Sequence, residues 1–275
     1  MSNLIYLEEL TFTIAFIAYL AAALSFILMV AFKKNVFEKS GVISTLAGFI
    51  IHTIAIILRV IESGRLPFSN QYEFATSFSW GVVLCFIVIY FVYRFSATGA
   101  FVMPVAFIIM GYASVLPKTI KPLMPALQSG WLYVHVGTAV LSYGAFAVAA
   151  GLSLMYIVTE KRKKESNDTS KLPDSEVCDY LSYRVIAFGY IMLTLVIVTG
   201  AIWAKAAWSR YWAWDPKETW SLITWLIYSA YLHLRLNRGW KGKKAALFAI
   251  IGFICVIFTF IGVNILIPSI HSYTS

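Results

Sequence analysis

Between residues 203 and 219 the chain reads WAKAAWSRYWAWDPKET, which sets Trp203, Trp208, Tyr211, Trp212 and Trp214 beside Lys205, Arg210, Asp215, Lys217 and Glu218. Indole and phenol rings stack on flat aromatic ligands, and guanidinium and ammonium groups pair with carboxylates. Both together suit a large planar aromatic carrying two acid groups, of which porphyrin is the biological example. Trp and Tyr also gather at membrane interfaces, where an aromatic belt needs no ligand. The density of rings and the adjacent ion-pairing groups exceed what a belt requires. The spacing of Trp208 and Trp212 puts both on one face of a helical turn. Asp215-Pro216 predicts a cap, with Pro in first position of the next helix.

Four histidines, His52, His135, His233 and His271, are the candidate iron ligands. A neutral imidazole nitrogen is a common axial ligand of haem iron, and an ionisable group inside a membrane span is a functional candidate by default. Cys85, Cys178 and Cys255 form no CxxC and no CxxCH. They therefore point to no redox pair, zinc site or covalent haem on this chain, and read as small apolar filler.

The elements that must position these groups are membrane helices. Of the 275 residues 60% are hydrophobic and only 13% charged, more apolar surface than a soluble domain of this size can hide. The apolar residues fall in eight runs, at 10–32, 41–61, 73–93, 98–116, 131–158, 180–203, 220–236 and 245–267. About 20 such residues cross a bilayer as a helix, which satisfies its own backbone hydrogen bonds. The expectation is an all-α integral membrane protein of about eight helices with a Trp-rich external segment. The fourth run is short and contains Pro104. The first has Glu8 and Glu9 where a signal peptide has a basic region, so it reads as a retained anchor.

Depth sorts the histidines. At roughly 1.5 Å per residue, His135 lies about 6 Å into the fifth run from its outer end, and His271 follows Pro268 just outside the eighth. Both are level with the tryptophan segment, so a bis-histidine site beside it is geometrically feasible. His233 lies about 20 Å down, near the opposite end, and His52 near mid-membrane, too far apart in depth for one iron. His52 is read as packing.

The net charge of +9 is spread in a way that argues against nucleic acid. One set of alternate loops holds Lys33, Lys34, Lys39, Arg94, Lys161, Arg162, Lys163, Lys164, Lys171, Arg235, Arg238, Lys241, Lys243 and Lys244, fourteen in all. The opposite set holds seven: Arg59, Arg65, Lys118, Lys121, Lys205, Arg210 and Lys217. The excess of Lys and Arg marks the cytoplasmic side, which puts both termini and the tryptophan segment outside. Residues 159–179 read as a cytoplasmic polar connector between helices 1–5 (residues 1–158, with His135) and helices 6–8 (residues 180–275). The outer loops 62–72 and 117–130 are irregular and punctuated by Pro and Gly.

WSRYWAWDPKETW (208–220) resembles the WWD motif of haem-handling proteins, WGxxWxWD, with Ser209 standing where Gly is usual. WLYVHV (131–136), YLHLR (231–235), IPSIHSY (267–273) and RVIESGRLPFSNQYEFATSFSW (59–80) resemble segments of the CcsA/ResC family of System II cytochrome c biogenesis proteins. The similarity covers nearly the whole chain. It implies haem b as substrate or cofactor, with Trp208, Arg210, Tyr211, Trp212, Trp214, Asp215, Lys217 and Trp220 as its contacts. It implies His135 and His271 as external axial ligands, and His233 as the inner ligand, completed by a CcsB/ResB-type partner. Apocytochrome c and a thioredoxin-like thiol reductant are the other implied partners. The implied role is part of a cytochrome c synthase, in a bacterial plasma membrane or a thylakoid: haem enters near His233, crosses, and is presented for thioether attachment to a CxxCH. The runner-up is a System I handler that loads a haem chaperone, typically with six helices. A b-type electron-transfer cytochrome would want histidine pairs at matching depths, and a transporter would want broken helices near mid-membrane.

Overall fold

The computed structural model describes residues 2–165 and 173–266, and within them the chain is helical with no strand. Eight helices follow in order: α1 (Ser2–Phe32), α2 (Asn35–Ser63), α3 (Gln71–Tyr93), α4 (Gly99–Ser114), α5 (Gly130–Glu165), α6 (Ser175–Trp208), α7 (Pro216–Arg238) and α8 (Lys243–Leu266). Most extend past the apolar runs that announce them. Apolar composition marks only the part in lipid, while Lys, Arg and Glu are good helix formers and carry α5 and α6 on into water. Pro104 sits inside α4 without ending it.

Seven of the eight are long and apolar enough to cross a membrane, and α7 falls short. Its 23 residues are rich in Trp, Tyr, Ser and Thr. Yet α7 begins just after α6 ends, and at its far end Arg235 pairs with Asp179 at 2.7 Å, near the start of α6. The same Asp179 accepts from the Gly242 backbone at 2.9 Å. So α7 retraces α6 from its end to near its start. Its polar side chains are answered inside the bundle: Trp225 Nε1 donates to Thr194 at 2.9 Å, and Tyr190 and Ser229 share a hydrogen bond of 2.9 Å. Such bonds between helices replace the water that lipid lacks.

The helices α1 and α2 form a hairpin, with α1 lying on α4. Helix α3 packs against α4 and α5, and α5 against α6 and α8, so α5 is central and the most buried of the spans. The α3–α5 approach is set by glycines: a Cβ on Gly144 would stand 2.6 Å from the Gly81 carbonyl oxygen. Small residues of this kind let membrane helices meet backbone to backbone. One apolar core runs through residues from both sides of the polar connector, including Phe146, Leu152, Leu193 and Tyr228. The Phe146 and Tyr228 rings stack with centroids 3.8 Å apart.

Candidate functional site

Where α5 starts and α6 ends, a cavity opens between these helices, the α2–α3 loop, the tryptophan segment and the end of α8. It encloses about 1180 Å³ of empty space, part of it open to the exterior. His135, on the second turn of α5, lies in its wall. The His135 Nδ1 is 2.9 Å from the Val196 carbonyl oxygen of α6. A carbonyl only accepts, so Nδ1 carries the proton, and Nε2 of the neutral ring is left with the lone pair that binds metals. Gly200 makes this approach possible, since a Cβ there would lie 2.8 Å from His135 Cε1. The Trp203 ring tilts against the imidazole at 5.7 Å, and its Nε1 donates to the Ala126 carbonyl at 2.8 Å, tying down the α4–α5 loop.

The loop wall, Phe68 to Gln71, is held by a buried ion network. Glu73 in the first turn of α3 accepts from Arg59 (3.0 Å), Arg65 (2.8 Å), and the Ser69 backbone and hydroxyl (both 2.9 Å). Arg59 reaches on to Glu8 at 3.4 Å, and Tyr72 donates to Glu8 at 2.9 Å. Asn70 caps α3 by accepting from the Glu73 backbone at 2.8 Å. Arg59, placed by sequence in an outer loop, is therefore helical and 4% exposed, because two carboxylates supply the counter-charge that burial demands.

The tryptophan segment departs from the predicted helical turn. α6 stops at Trp208, with Ser209 in the left-handed region at φ +61°, so Trp208 and Trp212 do not share a helix face. That backbone explains the usual Gly at this place, since residues with a Cβ resist it. Trp214 is left-handed as well, at φ +58°. The rings pair differently: Trp208 tilts on Trp203 at 5.2 Å, and Trp212 meets Trp214 edge-on at 5.7 Å. Asp215 and Glu218 form a capping box on α7, with Pro216 first in the helix as expected. The Asp215 carboxylate accepts from the Lys217 backbone at 3.1 Å, and Glu218 from the backbones of Ala213 (2.8 Å) and Asp215 (3.2 Å).

Of the eight contacts named from sequence, Tyr211, Trp212 and Lys217 line the cavity. Trp208 lies behind Trp203, Arg210 and Trp214 face outward, Asp215 is buried in its cap, and Trp220 packs on Phe258 at 4.2 Å. His271 lies outside the described residues. His233 is exposed on α7, with its Nδ1 3.0 Å from the Asn237 amide nitrogen. His52 is fully buried, 3.1 Å from the Tyr19 hydroxyl. Trp203, the 68–71 wall, Phe74, Tyr143, Phe260 and Asn264 also line the cavity. Loop 62–72 was visible as an irregular outer segment. Asn264 carried only the signal of a polar residue in an apolar run.

The arrangement fits a flat, anionic aromatic. Rings from the α2–α3 loop, α3, α5, α6, the tryptophan segment and α8 wall the space, His135 offers a metal-binding nitrogen, and Trp212 Nε1 is buried without a hydrogen-bond partner among the described residues. Fold and site together define a polytopic membrane protein with an imidazole and indoles gathered around a cavity at one end of the bundle.

Residues 68–271 match the family model of the cytochrome C assembly protein. The chain is 39% identical to the cytochrome c biogenesis protein CcsA of Guillardia theta, over 94% of each chain. It is 38% identical to CcsA of Prochlorococcus marinus strain NATL1A, covering 80% of each chain. The chain belongs to the cytochrome c assembly family, among its CcsA members. Among solved structures it resembles the cytochrome c haem lyase CcmF in fold, with a TM-score of 0.71 at 17% identity, over 93% of this chain and 46% of that one.

Proposed function

We propose that this chain is the haem-handling subunit of a System II cytochrome c synthase. It moves haem b across the membrane and presents it at the cavity for attachment to the CxxCH of an apocytochrome c. The observation that carries this reading is the His135 ring, held in its metal-binding tautomer at the wall of a cavity lined by indoles. His135 Nε2 ligates the iron, and His271 supplies the second imidazole. Trp203, Tyr211 and Trp212 hold the ring, and Trp212 Nε1 donates to a propionate. Lys217, also in the wall, brings positive charge to the acid groups.

The chemistry supplied by haem is that of its two vinyl groups. Each cysteine S–H adds across one C=C, forming a C–S and a C–H bond with no net oxidation, provided a thiol reductant keeps both cysteines reduced. The cavity supplies orientation, which makes the addition effectively local. His233, exposed on α7, is the inner ligand through which haem is loaded, and a CcsB/ResB-type subunit contributes the opposite ligand. The charge asymmetry of the loops supports a position of the cavity on the outer side.

The His135→Ala, His271→Ala double variant is expected to abolish holocytochrome c, with added imidazole partly restoring it. Full cytochrome c yield in that variant would overturn the reading. An inner-membrane electron-transfer role is less favoured, because His52 is bonded to Tyr19 in the core and His233 faces outward.

A further inference from the structure

Helix α7 stands between His135 and His233. Lys217 and Ser221, in its first turns, line the cavity that holds His135. Thr224, Tyr228 and Tyr231 continue that face and are buried in the bundle. At about 100° per residue, His233 is turned roughly 120° to 180° away from all five, and it lies roughly 18 Å along the axis from Ser221. His233 is exposed, and so are Ala230 and Leu226 in the two turns before it.

The direct way from His233 to the cavity, through the bundle, is filled. On α5 the cavity lining ends at Tyr143. There Phe74 lies 6.1 Å from Tyr143 and 5.2 Å from Phe260 between ring centroids. The fully buried Phe78 meets both Tyr143 and Phe260 at 5.5 Å. Beyond them the stacked rings of Phe146 and Tyr228 have no exposed surface. A Cβ added at Gly189 of α6 would stand 2.8 Å from Phe146 Cε1, and one at Gly252 of α8 would stand 2.6 Å from Tyr228 Cζ. Helices α5, α6, α7 and α8 thus close on these two rings with no room for a methyl group, and a macrocycle is far larger.

The opposite face of α7 is open. Thr219, Ile223, Leu226, Ala230 and His233 follow at spacings of four and three, which places them on one stripe. At its far end the Thr219 hydroxyl donates to the Trp214 carbonyl at 3.4 Å. In the same segment Tyr211 is 60% exposed and also stands in the cavity wall, at its rim. The stripe therefore joins His233 to the rim of the cavity. Resting on the functional reading above, we infer that haem travels from His233 to the cavity over the outward stripe of α7, past Ala230 and Leu226, and not through the interior of this chain. Leu226 and Ala230 are then transit residues for the substrate, and the partner subunit that completes the His233 site forms the other wall of the path.

The test uses the complex of this chain with its partner subunit, purified with haem, in the wild type, Leu226→Trp and Phe146→Leu. Haem at each site is read from the spectrum, with His135→Ala and His233→Ala backgrounds separating the two, and holocytochrome c is measured alongside. Leu226→Trp narrows the stripe, and is expected to keep haem at His233 while depleting both haem in the cavity and holocytochrome c. Phe146→Leu loosens the interior, and is expected to leave cavity haem at the wild-type level. Normal cavity haem in Leu226→Trp, or more of it in Phe146→Leu, overturns the inference. Loss of haem from both sites in Leu226→Trp would make Leu226 part of the His233 site and overturns it too. If Leu226→Trp does not assemble with the partner, Ala230→Leu is read in the same way. A wild-type complex with haem at neither histidine sinks the functional reading itself.

Discussion

His135 owes its chemical state to neighbours that are not ligands. The Val196 carbonyl chooses its tautomer, and Gly200 leaves room for the ring to reach it. Ser209 shows the reverse situation, a residue whose type works against its backbone. At φ +61° it ends α6 and turns the chain toward Trp212, a place where glycine avoids the clash of Cβ with the carbonyl. Ser209→Gly is expected to stabilise the protein by roughly 1 kcal/mol. This should appear as a higher Tm of the purified protein in detergent. An unchanged or lower Tm would mean that the extra freedom glycine gives the unfolded chain outweighs the strain relieved.

At the scale of elements, the α1–α2 hairpin is joined to the cavity through charge. Glu73 has a fully buried side chain and gathers two arginines and Ser69, while Glu8 completes the balance from α1. Breaking a buried pair by removing one charge typically costs about 3–5 kcal/mol, because the remaining charge is left uncompensated in low dielectric. Glu73→Gln replaces one acceptor oxygen with an amide facing only donors. The expected outcome is a loss of stability on that scale, with faster hydrogen exchange concentrated in residues 64–72. Wild-type stability with unchanged exchange of the Ser69 amide would show that the network does not hold the loop. Helix α7 makes the same point about environment. Its composition alone excludes it from the apolar spans, yet its polar groups find partners on α6 and it runs alongside that helix.

For the whole molecule, if α7 crosses as the eighth span, the α2–α3 loop and the α7–α8 loop lie on opposite faces. Leu66, 43% exposed, and Lys241, also exposed, are suitable reporters. In a chain otherwise free of accessible thiols, Leu66→Cys is expected to react with a membrane-impermeant maleimide from the outside and Lys241→Cys only after permeabilisation. The opposite pattern would invert the orientation drawn from the loop charges, and labelling of both from outside would mean α7 does not cross.

The all-α membrane class, the eight helices and the α7 cap were legible in residue types alone. Each follows from a local rule: apolar length for a span, Asp-Pro for a cap with Pro first in the helix. The fault lines lie where the outcome depends on a distant partner. Arg59 looked like an outer charge until Glu8 and Glu73 were seen beside it. Trp208 and Trp212 looked like helical neighbours until the left-handed Ser209 parted them.

Composition and motif thus determined by themselves what kind of protein this is, and that His135 and the indoles belong near one end of the bundle. Only the tertiary structure decided which of the named side chains meet in the cavity, which nitrogen of His135 carries the proton, and that Asn264 stands in the wall. Those answers depend on helices far apart in sequence coming within hydrogen-bond reach. Bonds of about 3 Å are set by packing, which residue spacing along one chain does not encode.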